Sequence, residues 1–176
     1  MMKFAYADPP YIGQAQRHYG KDELCAEVEH AELIRDLAEY DGWALSLSSP
    51  TLKYVLSLCP DDVRVGAWVK PFCSFKPNVN PAYAWEPVVF CGGRKRGREV
   101  PTLRDWIAEN MTMKKGLAGA KPLRFCYWLF EMLGMNPDDE LIDLFPGTGI
   151  VTIAWNNWCK DAATQLANMP LFVEVG

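Results

Sequence analysis

An apolar run near the N-terminus, Phe4-Ala5-Tyr6-Ala7, ends abruptly in Asp8-Pro9-Pro10-Tyr11, and this junction constrains the fold more than any other stretch. The run reads as a short buried strand. Two consecutive prolines forbid both helix and further ladder pairing, so the chain must leave the sheet edge stiff and extended. One carboxylate, one proline carbonyl and one aromatic ring are thereby held together at a strand's C-terminal end. In open α/β sheets, ligands bind at that edge. A proline-stiffened turn whose Asp8 caps a helix is the competing reading of these residues.

The 176 residues suit one domain, 1–176, with a substantial core, and 49% apolar content excludes a disordered chain. No apolar stretch approaches a membrane span, and Met1-Met2-Lys3 leads straight into the strand rather than into a signal sequence. Six cysteines are scattered without a Cys-x-x-Cys pair, and only His18 and His30 accompany them. The expectation is therefore reduced thiols in a cytoplasmic protein, with no metal site. A net charge of −4 argues against a uniformly basic binder, so any nucleic-acid contact must come from a local patch.

Further along, Leu24, Val28, Ala31, Ile34 and Ala38, with Leu33 and Leu37 broadening the stripe, give Asp22 to Tyr40 a helical period, stopped by Asp41-Gly42. Trp43 to Ser48 alternates as a strand. Ser49 reads as an N-cap, with Pro50 opening a helix to about Leu58. Val63 to Lys70 is a further strand, and Phe72 to Pro81 a loop. Tyr83 to Phe90 follows as a strand in which Pro87 predicts an edge or a bulge. Thr102 with Asp105 predicts a short helix to about Asn110. A helix from Pro122 to Leu133 ends at Gly134, and Leu141 to Phe145 is the next strand. A helix begins near Ile150, and Leu171 to Val175 is a last strand. Strands alternating with helices predict an α/β fold: a mostly parallel sheet covered on both faces, a three-layer sandwich.

The second informative stretch is Asp143-Leu144-Phe145-Pro146-Gly147-Thr148-Gly149. Glycines between a buried strand and a helix let the backbone pass close to a ligand, and the helix N-terminus behind them favours negative charge. The turn lacks the third glycine of a dinucleotide fingerprint, and no Gly-Lys-Thr/Ser marks a nucleotide triphosphate loop. Taken alone it is equally compatible with tight strand–helix packing.

Together the two stretches resemble the amino methyltransferases, which methylate adenine N6 or cytosine N4 with S-adenosylmethionine (SAM). Asp8-Pro9-Pro10-Tyr11 resembles their catalytic loop. Lys121-Pro122, a helix, then Asp143 to Gly149 resembles their cofactor passage, with Leu144 for the usual proline and Thr148 for the usual serine. Trp85-Glu86-Pro87-Val88-Val89-Phe90 resembles the strand just upstream. Catalytic loop before cofactor loop is the permuted order of one subgroup, and the fold implied is Rossmann-like.

The resemblance implies that Asp8, Pro9, Pro10 and Tyr11 are catalytic. It implies that Phe145, Pro146, Gly147, Thr148 and Gly149 line the SAM pocket, with Lys121 and Pro122 near its methionine end. Asp143 would contact the cofactor, and Glu174 would take the ribose hydroxyls; an exposed charge on a terminal strand is the other reading of Glu174. The implied substrate is DNA, at adenine N6, because Asp rather than Ser heads the Pro-Pro-Tyr motif. RNA adenosine, cytosine N4 in DNA, or a binding module without turnover are the alternatives. Within 72–120, a short region is available for target recognition, and its small size points to a homodimer or partner supplying further contacts. Its densest cationic run, Arg94, Lys95, Arg96 and Arg98, is a phosphate-contact candidate, as are Lys114 and Lys115. A solvated loop explains such a run equally well.

Overall fold

The computed structural model describes residues 1–10, 28–72, 77–111 and 120–167. Tyr11, His18, Lys114, Lys115, Glu174 and the expected strand Leu171 to Val175 lie outside the described residues.

The elements in chain order are β1 (Lys3–Ala7), α1 (His30–Leu37), β2 (Gly42–Ser46), a 3-10 turn (Ser49–Thr51), α2 (Leu52–Leu56), β3 (Arg64–Val69), β4 (Trp85–Gly92), β5 (Trp106–Ala108), α3 (Leu123–Met132), β6 (Glu140–Asp143) and α4 (Ile150–Ala167). The six strands form one sheet in the order β5-β3-β4-β2-β1-β6. β1 runs parallel to both β2 and β6, and β3 runs parallel to β5. β4 is antiparallel to its neighbours β2 and β3, so five strands point one way and β4 the other. This is the mostly parallel α/β sheet that the alternation of elements predicts.

Strand parity builds two cores. Phe4 and Tyr6 of β1 face α3 and α4, packing with Phe125, Leu129, Phe130, Val151 and Ala154. Ala5 and Ala7 face the other way, onto Leu33, Ile34 and Leu37 of α1 and Val55 of α2. The sheet is thus covered on both sides. Phe130 of α3 lies edge-on to Trp155 and Trp158 of α4, with centroids 5.2 and 5.9 Å away, and those two indoles stack at helical i, i+3 spacing.

Four local expectations are corrected. The segment predicted as a helix from Thr102 is instead the edge strand β5. The free edge of β3 claims its backbone: the Ala67 N–H donates to the Asp105 carbonyl at 2.9 Å, and the Glu109 N–H to the Val69 carbonyl at 3.0 Å. The indoles of Trp128 and Trp68 add hydrogen bonds to the Arg104 and Glu109 carbonyls. Tertiary pairing overrides a capping signal here. Pro87 sits in an interior strand, not at an edge. It lies one residue past the last β2–β4 pair, Ser46 with Val88, so the ladder ends where its missing N–H would be needed, and its carbonyl accepts from Leu47. The helix expected to run on through His30 begins there: Glu29 caps Ala31, and the His30 ring bonds back to the Val28 carbonyl at 2.9 Å. The N-cap read at Ser49 moves to Ser48, because Pro50 falls inside the 3-10 turn.

Within the interval 72–120, β4 and β5 belong to the sheet. Arg94, grouped above with the phosphate-contact candidates, closes the fold. Its guanidinium makes two bonds to the Asp139 carboxylate (2.8 and 3.1 Å) and one to the Gly134 carbonyl (2.6 Å). Asp139 also accepts the N–H groups of Met2 and Asn136. One carboxylate, 1% exposed, therefore ties the ends of β4 and α3 to the start of β1. Hydrogen bonds from Arg94 and the two amides hold its pKa at about 2.

Being depressed, this pKa stabilises the fold above the unfolded carboxylate value, and the benefit is lost as pH falls through about 2. Asp139→Asn should therefore lower stability by about 2–3 kcal/mol at neutral pH. Urea denaturation at pH 7 and pH 3 checks this: the gap to wild type should narrow at the lower pH.

Candidate active site

Period-two alternation sets the site. Tyr6 points into the α3–α4 side, and Asp8, two residues on, falls on the same side just past the end of β1. Tyr6 is buried beneath it, its hydroxyl 2.7 Å from Ser46 Oγ and its ring edge-on to Phe125. Trp68 and Lys70 reach the same side from β3 and its end, and Glu86 from the start of β4. Lys121 arrives from the residue before Pro122, whose extended backbone (φ −66°, ψ 148°) is the N-cap of α3.

These residues form a buried charge cluster on an aromatic floor. Lys121 Nζ is 3.0 Å from Asp8 Oδ1 and 3.1 Å from Glu86 Oε2, with its side chain only 5% exposed. Lys70 pairs with the other Glu86 oxygen and is likewise buried. Both ammonium groups lie near the Trp68 ring, at 4.8 Å for Lys70 and 5.3 Å for Lys121, and Lys121 is 5.9 Å from the Phe125 centroid. Two cations and two carboxylates offset each other's desolvation, and removing one partner would strand a buried charge. Burial pushes the Asp8 carboxyl above the usual carboxylate range, with Glu86 adding to the rise; Lys121 and Lys70 pull it back down. Burial, reinforced by the nearby Asp8 charge, keeps the Tyr6 phenol neutral, well above its ordinary pKa.

The second carboxylate comes from the neighbouring strand. Tyr6 and Asp143 are partners in the β1–β6 register, and the Leu144 N–H donates to the Tyr6 carbonyl at 2.9 Å. Asp143 Oδ1 accepts the Phe145 N–H at 3.3 Å. Its Oδ2 is buried with no hydrogen-bond partner among the described residues. Burial raises the Asp143 pKa, and the charge on Asp8 raises it further. An unsatisfied buried carboxylate oxygen is expensive and rare, and marks a place where a donor belongs.

Beyond Asp143, the turn uses its glycines for their backbone. Gly147 and Gly149 have φ of +46° and +71°, and a Cβ placed on Gly149 would meet nothing within 4 Å. The space beside Gly149 is open, at the N-terminus of α4. Phe145 is half-buried there, while Pro146, Gly147 and Thr148 are exposed.

The structure thus brings together Asp8, Pro9, Pro10, Lys121, Pro122 and the Asp143–Gly149 turn at one sheet edge. It does not bring the basic run there. Since β4 runs against the other strands, its end at Gly92 lies beside Gly42, at the start of β2. Arg94, Lys95, Arg96 and Arg98 follow it at the sheet edge opposite Asp8. Sequence reasoning missed Lys70 and Glu86 as site residues. Glu86 shares strand parity with the buried Val88 and Phe90, and Lys70 with Trp68; charges at inward positions were the available signal. Among the described residues no cluster of His, Cys, Asp and Glu is arranged to hold a metal, and no helix is long and apolar enough to cross a membrane.

Among solved structures, the chain is similar to the M1.HpyAVI–SAM complex, with a TM-score of 0.61 and 16% identity over 93% of this chain and 88% of that one. It is similar also to M1.HpyAVI solved alone, with a TM-score of 0.56 and 16% identity over 96% and 89%. No protein-family profile and no curated protein sequence matches. At this identity the likeness is one of fold: the chain has the α/β fold of M1.HpyAVI along nearly its whole length.

Proposed function

We propose that this protein transfers a methyl group from SAM to an exocyclic base amine, adenine N6 in DNA. The observation that carries this reading is the placement of two carboxylates from opposite ends of the sequence. Asp8 and Asp143 emerge from adjacent parallel strands, 135 residues apart in the chain, at one sheet edge. The Asp143 oxygen without a partner among the described residues and the open glycine turn suit a ligand that carries a hydrogen-bond donor. The structural neighbour solved with SAM has the same fold, which supports that choice of ligand.

Asp143, Phe145, Pro146, Gly147, Thr148 and Gly149 would hold the cofactor, which supplies an electrophilic methyl group when bound. The acceptor amine is a poor nucleophile because its lone pair is delocalised into the base. Hydrogen bonds from its two N–H groups to the Asp8 carboxylate and the Pro9 carbonyl would favour a pyramidal nitrogen with its lone pair aimed outward. Lys121 occupies Asp8 Oδ1, and among the described residues nothing is seen to bond Oδ2, where the amine would dock. Asp8 need not deprotonate a neutral arylamine, which is far too weak an acid; one proton leaves once the methylated nitrogen is cationic. Lys121, fixed by Glu86, acts as a positioning residue that keeps Asp8 ionised and in place. Tyr11 would stack on a base swung out of its helix.

Incubating the protein with labelled SAM and mixed DNA, then analysing nucleosides by mass spectrometry, should yield N6-methyladenine. Matched RNA and DNA oligonucleotides, assayed side by side, test the choice of DNA. Asp8→Ala should reduce turnover by at least about a hundredfold while calorimetry finds SAM affinity little changed; undiminished turnover would remove Asp8 from the mechanism.

The same roles fix a pH dependence. Transfer needs Asp8 as the carboxylate, so the rate should rise with pH through its elevated pKa. Lys121→Met removes the cation that pulls this pKa down, so the midpoint of the pH–rate profile should move to higher pH. A profile that keeps its midpoint would separate Lys121 from Asp8.

A further inference from the structure

The edge of the sheet opposite Asp8 carries a groove of about 330 Å³ with an unusual lining. Four arginines border it: Arg64 from the start of β3, Arg96 and Arg98 from the segment after β4, and Arg104 just before β5. Phe90 and Met132 are among its apolar lining. Among the described residues, Asp105 is the only carboxylate in the lining; Glu99 lies nearby, against Gly97. In a chain of net charge −4, this concentrates positive charge in one concave place.

The arginines are held in distinct ways. Arg96 is pinned, donating to the Glu131 carbonyl at 2.9 Å and the Pro101 carbonyl at 3.1 Å, which fixes the segment that carries Arg98. The Arg64 guanidinium lies 5.3 Å from the Phe90 centroid, with a loose 3.8 Å pairing to Asp105. The Arg104 guanidinium lies 5.3 Å from the ring of Trp106, itself 43% exposed. Arg98 is exposed and makes no ion pair among the described residues. Phe90 is buried, but Arg104 beside the exposed Trp106 is the combination that follows a nucleic-acid strand, cation to the phosphates and ring to the bases.

We propose that this groove is a second nucleic-acid contact, an exosite that grips the phosphodiester backbone at the sheet edge away from the reacting base. The choice of nucleic acid over another polyanion rests on the methyl-transfer reading above. Arg98 and Arg104 are its phosphate-contacting groups, Arg96 holds the frame, and Trp106, outside the lining but against Arg104, offers a stacking face beside it. Arg94 takes no part, because Asp139 already occupies it.

The test uses fluorescently labelled oligothymidylate, whose bases carry no exocyclic amine to engage Asp8, and follows its binding against salt concentration. Wild type should bind with a marked salt dependence. The double variant Arg98→Glu, Arg104→Glu should bind at least about tenfold more weakly, and its log K against log salt slope should be shallower by about 1.4, at ~0.7 per phosphate for a single strand. Arg98→Gln with Arg104→Gln carries the same test if charge reversal prevents folding, as judged by the thermal midpoint. An unchanged affinity and slope, or no binding by wild type, overturns the exosite. Methyl transfer is scored separately: its presence without groove binding refutes only the exosite, and groove binding without transfer refutes only the methyl-transfer reading.

Discussion

An ammonium group leaves water only where carboxylates take water's place, and Lys121 is held in that way by Asp8 and Glu86. The arrangement needs three separate parts of the chain to arrive together: the end of β1, the start of β4 and the residue before α3. The prolines after Asp8 stop β1 where its carboxylate can face Lys121, and Pro122 starts α3 where Lys121 can face back. Trp68 and Phe125 provide the floor on which the ammonium sits. The sheet edge on this side is therefore built around two buried ammonium groups, Lys121 and Lys70.

The cluster also sets the electrostatics of the edge. Asp8 and Asp143 both lie above the usual carboxylate range, burial being the first cause for each, and Asp8 contributes to the rise at Asp143. Two partly desolvated carboxylates facing one space form a region that favours positively charged or hydrogen-bond-donating ligands. Holding them there works against stability, which is common where a site must be ready before its ligand arrives. Arg94 and Asp139 do the opposite work at the other edge, where a satisfied pair fastens the fold.

Much of this was legible in the sequence, and what was not had a physical cause. The Asp8-Pro9-Pro10 and Asp143–Gly149 turns are local features, fixed by proline and glycine, so their places at strand ends could be read directly. The buried Leu33, Ile34 and Leu37 of α1 and the tryptophan pair of α4 followed from periodicity, and the end of α3 from Gly134. β5 could not be read, because its strand character comes from the unpaired edge of β3 rather than from residues 102–110 themselves. Arg94 looked like one of four equivalent charges until Asp139, 45 residues away, singled it out. Lys70 and Glu86 were concealed for the same reason: a buried ion pair between two strands is a property of their register.

The reversal of β4 has a geometric consequence. Its eight residues, separated by rises of about 3.4 Å, span roughly 24 Å from Trp85 to Gly92. Glu86 stands at one end of this stiff rod, and the segment bearing Arg96 and Arg98 begins at the other. The strand therefore serves as a ruler: a polymer touching both edges would have to bridge a length set by the pleat of one strand.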